Sequence, residues 1–205
     1  MRLNPEKCVF GVLAGKLLDI IVSQRGIKAN PNKIKAIEAL KKPENLKDVQ
    51  RLTGCVAALS RFISRLDGKT LPLYRLLKKS DKFIWDDEAD TTLRDLKKTL
   101  AKAPILAAPL DLEPLLLYIT ATNEVVSTVI VERKEEGKEH PVQRPVYYIS
   151  ECLTDSKQHY PHYQKLVYGV FFASRKLRHY FMGHQITVVS ANLLADIIRN
   201  REATG

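Results

Sequence analysis

Three side chains able to bind a metal ion lie close together in the second half of the chain. Cys152, His159 and His162 offer one thiol and two imidazoles, the donors that zinc prefers. A structural zinc site requires four such donors, and no fourth cysteine or histidine stands at a suitable spacing. We therefore expect no metal site, and we interpret His159 and His162 as polar residues near the start of a helix.

Two short motifs resemble ATP-binding signatures but lack their context. Gly68-Lys69-Thr70 matches the end of a phosphate-binding loop, which also needs a glycine five residues before its Gly-Lys pair so that backbone amides surround the phosphates. Ile63 occupies that position. Asp87-Glu88-Ala89-Asp90 spells a helicase motif, yet carboxylates are also favoured at a helix start by the positive end of the helix dipole. We expect neither segment to bind ATP.

The positive charge of the chain is confined to its first half. Residues 1–110 carry a net charge of +10, whereas residues 111–205 carry a net charge of zero. Such asymmetry favours contact between the basic half and a polyanion such as nucleic acid. The alternative is a charged surface that only aids solubility.

The composition is that of a folded intracellular protein. Of the 205 residues, 45% are hydrophobic and 27% are charged, which argues against wholesale disorder. No apolar run approaches the ~20 residues of a membrane span, and no signal-peptide core follows the N-terminus. The three cysteines form no CxxC pair and are expected to be reduced. We expect an intracellular protein, cytoplasmic or nuclear, without a membrane partner.

Strand and helix signals follow one another in the basic half. Cys8–Val12 and Leu17–Val22 are β-rich runs separated by a glycine-containing turn, which predicts a hairpin. Asn30 and Pro31 are typical of a helix start, and Pro43 ends that helix.

Two further helices are predicted in this half, one after the cap residue Asn45 and one after Trp85. Their apolar residues recur every three or four positions, the spacing of one helical face. These residues are Leu46, Val49, Leu52, Val56, Leu59 and Ile63 in the first helix, and Leu93, Leu96 and Leu100 in the second.

Strands and one long helix are predicted in the neutral half, after a proline-punctuated connector at Ala103–Leu110. The helix ends at Gly183, and a turn falls at Glu135–Lys138. The strands are Leu115–Ile119, Val125–Val131, Val146–Ile149 and Ile186–Val189. The buried face of the helix is predicted to contain Leu166, Val167, Val170, Phe171, Ser174, Leu177 and Phe181.

Several segments, in the same order along nearly the whole chain, closely resemble the polyprotein of gypsy-type LTR retrotransposons. These segments are Leu3–Phe10, Val22–Ile27, Asn30–Ile34, Val49–Gly54, Leu59–Ser64, Phe83–Trp85, Pro145–Ser150 and Arg175–Phe181. In that family they run from the end of the reverse-transcriptase palm, through the thumb, into an RNase H-like domain.

The resemblance implies an α+β chain with four parts. Residues 1–28 are expected to be a palm remnant with the primer-grip hairpin, residues 29–102 a helical thumb, residues 103–114 a connector, and residues 115–205 an RNase H-like mixed α/β domain truncated at its C-terminus. The family's Tyr-x-Asp-Asp polymerase motif does not occur, so we expect no polymerisation by this chain alone. Asp19 stands where the family usually has glycine, which argues against primer gripping.

RNase H activity in this family uses two Mg²⁺ ions held by carboxylates from separate elements. The positions that match three of these acids are Thr120, Gln164 and Ala191. Glu124 lies roughly 13 Å along the strand from Thr120, and Asp196 lies more than one helical turn beyond Ala191, so neither replaces a missing acid. We expect no catalytic residue, metal or other cofactor in this chain, as in plant elements of the family whose first RNase H-like domain acts as a connection.

The resemblance implies a non-catalytic segment that binds a primer-template duplex or an RNA–DNA hybrid, together with the remainder of the polymerase polyprotein. The thumb would follow the phosphates of the duplex by shape rather than by base identity. The candidate contacts are Lys33, Lys35, Lys41, Lys42, Lys47, Arg51, Arg61 and Arg65. Three alternatives stay open: an RNase H endonuclease acting on RNA–DNA hybrids, a structural partner whose neutral half docks onto a separate polymerase chain, and an inert genomic relic.

Overall fold

The computed structural model describes residues 11–17, 20–78, 83–134, 142–190 and 194. In chain order its elements are β1 (Ala14–Leu17), β2 (Ile20–Ser23), β3 (Gly26–Ala29), α1 (Pro31–Glu38), α2 (Leu46–Ala57), α3 (Leu66–Lys78), α4 (Asp87–Ala101), β4 (Leu115–Ala121), β5 (Val125–Lys134), β6 (Val142–Cys152), α5 (Asp155–Gln158), α6 (His162–Lys176), α7 (Arg178–Gly183) and β7 (Ile186–Val189). These elements confirm the predicted α+β class. No helix in the described ranges is long and apolar enough to cross a membrane.

The first sheet holds β1, β2 and β3 in sequential antiparallel order. Leu17 pairs with Ile20, and Gly15 lies inside β1 opposite Val22. The hairpin turn was predicted between Val12 and Leu17, but Ala14–Leu17 form β1 instead. That prediction is wrong because the strands pair through a short connection between Leu17 and Ile20, which suits the twist of paired strands. β3 was not predicted, and Cys8–Phe10 lie outside the described residues.

The first two helices begin at their predicted caps. The Asn30 side chain accepts a hydrogen bond from the Asn32 amide at 3.0 Å. The Asn45 side chain accepts one from the Asp48 amide, also at 3.0 Å. Both caps satisfy amides that the first turn of a helix leaves without partners.

The helix predicted to continue to Ile63 is divided in the structure. α2 ends at Ala57, and a short 3₁₀ turn follows at Ser60–Phe62. Leu59 and Ile63 are nevertheless fully buried, as their spacing indicated. The prediction of one continuous helix is wrong because apolar spacing does not distinguish one helix from two segments that share a buried face.

The sequence did not reveal α3, because Gly68 and Pro72 lie inside it. Both residue types are unfavourable in a helix interior. The helix forms through its buried face, which stabilises it more than propensity opposes it. That face consists of Leu66, Thr70, Leu73 and Leu76.

α4 begins with a cap and a group of acidic residues. The Asp86 side chain accepts the Ala89 amide at 2.8 Å, and Asp87, Glu88 and Asp90 occupy the first turn. The helix predicted after Trp85 is confirmed, and the helicase-like motif lies at a helix start, where the dipole favours carboxylates.

The second sheet has the strand order β6-β5-β4-β7 and contains all four predicted strands. β4 pairs in parallel with β7, while its pairing with β5 and that of β5 with β6 are antiparallel. The predicted turn at Glu135–Lys138 lies outside the described residues.

α6 packs against this sheet through a glycine rather than through the whole predicted face. A Cβ on Gly169 would lie 2.8 Å from the Val126 side chain and 2.9 Å from the Ile119 side chain. This close approach turns Phe172 inward and leaves Phe171 58% exposed. The prediction that Phe171 is buried is wrong, because the glycine that centres the packed face was not counted as apolar.

The connector holds the two sheets together. Leu106 is fully buried and exchanges two backbone hydrogen bonds of 2.8 Å with Ile27 in β3, while the Ala107 amide donates to the Pro145 carbonyl at 2.8 Å. Gly26 has φ +118, and a Cβ there would lie 2.2 Å from the Leu106 carbonyl oxygen. Glycine is therefore required at this crossing.

The helical unit (α1–α4) packs directly on the sheet unit (β4–β7 with α5–α7). The Asp67 amide donates to the Ser150 hydroxyl at 3.0 Å, and Arg75 donates to both carboxylate oxygens of Glu124 at 3.0 Å. Tyr148 on β6 packs against the core of the helical unit. The sheet face opposite α6 is thus covered by the helical unit.

Candidate nucleic-acid interface

One exposed face of α2 carries two of the predicted basic residues. Lys47 and Arg51 are four positions apart, so they lie on the same side of the helix. Gln50 and Gly54 are exposed beside them. Among the described residues, apart from the adjacent backbone of α2 itself, no atom lies within 4 Å of the position that a Cβ on Gly54 would take. These four residues, the α2 surface, place two cations next to open backbone.

The loop after α1 brings two more predicted cations to this surface. Lys41, Lys42 and Arg51 line one hollow of about 200 Å³. Glu44 and Asp48 share the hollow, and the Asp48 side chain accepts the Glu44 amide at 3.2 Å. The structure therefore gathers three cations at one place, where two carboxylates offset part of their charge.

Lys33 and Lys35 on α1 are both exposed but do not share a face. Residues two positions apart on a helix point in nearly opposite directions, about 200° around the axis. At most one of the two therefore points toward the same side as the α2 surface.

Arg61 lies at the contact between the helical unit and the sheet unit. Its guanidinium carbon is 4.5 Å from the centre of the Tyr147 ring, the geometry of a cation–π contact. Its Nε is buried and has no hydrogen-bond partner in the described part of the chain. Burial raises the pKa of Tyr180, which meets Tyr147 edge to face, and the Arg61 charge opposes this rise. The structure places Arg61 apart from the α2 surface.

Arg65 is also apart from the α2 surface. It is exposed immediately before α3 and has φ +53, a left-handed conformation that few residues other than glycine adopt. It lines a cavity of about 260 Å³ beneath which lie Thr120 and Ser127 of the second sheet.

Two of the three positions that match family acids lie among the described residues. Thr120 is half-buried on β4, and Gln164 is half-buried in the first turn of α6. The residue after Gln164 is Lys165, which is buried with its ammonium 3.4 Å from the Asn123 carbonyl. Ala191 lies outside the described residues, as does Asp196.

Glu124, the carboxylate on the chain after Thr120, is already engaged, since it forms the bidentate ion pair with Arg75. Among the residues that the structure describes, no group of three or more His, Cys, Asp and Glu side chains is arranged to hold a metal ion. Burial, together with the charges of Asp67 and Glu124, raises the pKa of the Cys152 thiol to about 11. Metal ligation requires the thiolate, which this environment disfavours.

Sequence reasoning missed Gln50 and Gly54 as parts of the α2 surface. The helical period held a signal for them, because they lie opposite the buried Val49, Leu52 and Val56. The cavity beside Arg65 had no such signal, since its walls come from segments far apart in the chain.

A sequence profile described as "RNase H-like domain found in reverse transcriptase" matches residues 85–188. Among curated proteins, the chain is 28% identical over 194 residues to the "Retrovirus-related Pol polyprotein from transposon opus" of Drosophila melanogaster, covering 89% of this chain and 19% of that protein. It is 24% identical to the "Transposon Tf2-3 polyprotein" of Schizosaccharomyces pombe, covering 95% of this chain and 14% of that protein. The chain spans less than a fifth of the length of these relatives.

Two solved structures share the fold across nearly the whole chain. One is the foamy viral protease-reverse transcriptase in complex with dsDNA, with a TM-score of 0.75 and 19% identity over 92% of this chain and 39% of that chain. The other is the same kind of protein in complex with an RNA/DNA hybrid, with a TM-score of 0.75 and 17% identity over 93% of this chain and 26% of that chain. At this identity the likeness establishes the architecture alone.

Proposed function

This chain belongs to the family of RNase H-like domains found in reverse transcriptases, and from that premise we propose that it is a non-catalytic, duplex-binding segment of a retrotransposon polyprotein. The helical unit would act as a thumb that binds a primer-template duplex or an RNA–DNA hybrid. The sheet unit would act as a connection that supports the thumb. Both roles concern the chain as part of a longer polymerase.

The observation that carries the proposal is the α2 surface. Lys47 and Arg51 project from one side of α2, and Lys41 and Lys42 meet Arg51 at the adjoining hollow. Cations spaced along one helix face suit the regular spacing of phosphates on a duplex. The complexes of the two foamy viral proteins with dsDNA and with an RNA/DNA hybrid support this interpretation.

The open backbone at Gly54 adds shape to this charge. An RNA–DNA hybrid approaching A-form has a wide, shallow minor groove that proteins recognise by shape and by sugar and phosphate contacts. A glycine without neighbours lets the helix backbone approach such a groove closely. Gln50, exposed beside it, offers an amide that both donates and accepts hydrogen bonds.

The absence of catalysis is inferred from the residues at the acid positions. Two-metal hydrolysis requires several carboxylates that converge on ions about 4 Å apart. Thr120 and Gln164 supply neutral oxygens, the neighbouring Lys165 adds a buried cation that would repel Mg²⁺, and Glu124 is held by Arg75. These residues do not fit a pair of Mg²⁺ ions, so we derive no hydrolytic step for the described part of the chain.

We propose that the remainder of the polyprotein covers the first sheet. Leu13 is 89% exposed and Leu17 is 59% exposed, an unusual degree of exposure for two leucines in and beside one strand. A longer protein of the kind that this chain matches would offer an apolar partner for this surface.

The binding proposal is tested by fluorescence anisotropy with a labelled RNA–DNA hybrid between 50 and 300 mM salt. We expect the affinity to fall steeply with salt, because each cation that neutralises a phosphate releases a counterion. The double variant Lys47→Ala/Arg51→Ala is expected to bind about tenfold more weakly at moderate salt and to lower the salt slope by about two.

The matched control removes two cations from the C-terminal end of α4. Lys98→Ala/Lys102→Ala changes the net charge equally but affects exposed residues outside the α2 surface. Equal losses of affinity in the two double variants would contradict the proposal, because binding would then depend on net charge rather than on the α2 surface.

A further inference from the structure

The cavity beside Arg65 has a floor made of two rows of side chains across the second sheet. The strand register aligns Thr120, Ser127 and Ser150 in one row, hereafter the hydroxyl row. The next row aligns Tyr118, Val129 and Tyr148. The loop at Ser64 and Arg65 forms the wall above this floor and encloses about 260 Å³.

Two hydroxyls of this floor form no hydrogen bond within the described part of the chain. Ser150 accepts a hydrogen bond from the Asp67 amide. The Thr120 and Ser127 side chains, by contrast, have no hydrogen-bond partner among the described residues, and Ser127 is only 6% exposed. Both hydroxyls line the cavity, so they can donate and accept hydrogen bonds with a bound molecule.

The wall of the cavity is positively charged. Arg65 has no ion-pair partner among the residues that the structure describes, and its left-handed backbone holds it at the cavity rim. An exposed cation at the rim of a cavity lined by hydroxyls favours an anionic ligand.

We propose that this cavity binds one nucleoside phosphate, either a free nucleotide or an unpaired nucleotide of a strand. Arg65 would bind the phosphate, Thr120 and Ser127 would hydrogen-bond the sugar or the base, and Tyr118 would contact the base. The cavity has no carboxylate among its lining residues.

The size of the cavity limits the ligand to one nucleotide. Its volume lies just below the roughly 300–1,000 Å³ of pockets for drug-sized molecules. A duplex is excluded by this size, so the cavity is separate from the α2 surface. Aromatic rings and hydroxyls together are the groups with which proteins bind single nucleotides, by stacking and by hydrogen bonds to base edges.

The inference goes beyond duplex binding and is tested independently of it. Titration calorimetry with adenosine 5′-monophosphate measures occupation of the cavity by a free nucleotide. Anisotropy with two RNA–DNA hybrids, one blunt and one with a single unpaired nucleotide, measures occupation by a strand end. The blunt hybrid alone reports on the α2 surface, so the two proposals fail separately.

Two variants test the site, one by filling the cavity and one by removing its cation. Thr120→Phe fills the cavity, and we expect at least a tenfold loss of nucleotide affinity or of the preference for the unpaired end. Arg65→Gly removes the cation at a position whose φ suits glycine, and we expect at least a fivefold loss. Thermal unfolding of both variants establishes that they are folded, and Lys98→Ala is the control for charge.

If the wild-type chain binds the free nucleotide and both variants weaken that binding, the cavity binds a free nucleotide. If the wild-type chain prefers the unpaired end and both variants abolish that preference, the cavity binds the end of a strand. The proposal is overturned if the folded wild-type chain shows neither effect. It is equally overturned if folded Thr120→Phe binds as the wild type does.

Discussion

Helices α2 and α6 both carry a glycine in their middle, but the two glycines face opposite environments. Gly54 on α2 is exposed, and a Cβ added there would meet nothing within 4 Å. Gly169 on α6 is buried, and a Cβ there would lie within 3 Å of two side chains of the sheet. Glycine thus leaves the backbone exposed on the surface of the helical unit, whereas in the sheet unit it allows a helix to pack closely against the sheet.

The two halves of the chain therefore differ in what their structures provide. The helical unit presents cations beside open backbone, as a binding surface requires. The sheet unit buries Leu115, Leu117 and Ile130 fully. These buried residues, rather than the half-buried Thr120 and Gln164, stabilise its fold.

The largest expected effect on stability is that of a substitution at Gly169. We expect Gly169→Leu to lower the free energy of unfolding by about 3 kcal/mol, the upper end of overpacking costs, because even a Cβ there would lie within 3 Å of the Val126 and Ile119 side chains. Urea denaturation followed by circular dichroism measures the change.

The matched control for this prediction is a substitution on α2. Gly54→Ala adds a Cβ in open space, and helix propensity then favours the variant by up to about 1 kcal/mol. Equal destabilisation at both glycines would show that the two helices do not differ as described.

The second prediction places a negative charge on the α2 surface. Gly54→Glu is expected to weaken binding of an RNA–DNA hybrid about tenfold, or about 1.4 kcal/mol, because the carboxylate repels phosphates and the side chain blocks the backbone. Stability should remain close to that of Gly54→Ala. Anisotropy at constant salt measures the affinity, and unchanged binding would remove Gly54 from the interface.

The third prediction concerns the contact between the two units. Arg75→Ala is expected to lower the free energy of unfolding only slightly, because the Arg75–Glu124 ion pair is exposed to solvent and salt. The loss should shrink as salt is raised from 50 mM to 1 M, since ions screen the pair. A loss independent of salt would mean that Arg75 acts by packing instead.

The smallest expected effect is the pH dependence caused by Asp67 at the same contact. Burial raises the pKa of Asp67 above 3.8, Glu151 raises it further, and the Ser150 hydrogen bond opposes the rise. A raised pKa means that the folded state favours the protonated form, so this contribution to stability is present at low pH and is lost as pH rises through the folded pKa.

Asp67→Asn is therefore expected to raise the free energy of unfolding at pH 7 and to lose that gain at pH 3.5. The gain should be small, because part of the carboxyl group faces solvent, which screens its charge. Urea denaturation at the two pH values tests the sign, and a gain that is larger at pH 3.5 would contradict it.

Local patterns were sufficient to predict much of the fold. Asn30, Asn45 and the apolar spacing of the helices indicate where the helices start and which faces are buried, and short apolar runs indicate the four strands of the second sheet. The pattern failed at α3, where Pro72 opposes the helix that burial favours. It also failed at Phe171, because Gly169 decides which side of α6 meets the sheet.

Contacts between distant segments were beyond sequence reasoning. The Arg61–Tyr147 and Leu106–Ile27 contacts join residues far apart in the chain, and neither partner carries a local signal for the other. The candidate basic residues were predictable as a set from their charge. Their division between the α2 surface and the contact with the sheet unit depends on packing that no single segment specifies.

Binding and cleavage can be followed together by incubating the chain with a labelled RNA–DNA hybrid in Mg²⁺. We predict that the hybrid is bound, that its affinity falls with salt with a slope of several charges, and that the RNA strand stays intact. Cleavage of the RNA by the purified chain would contradict the non-catalytic role. A folded chain that does not bind the hybrid at low salt would contradict the binding role.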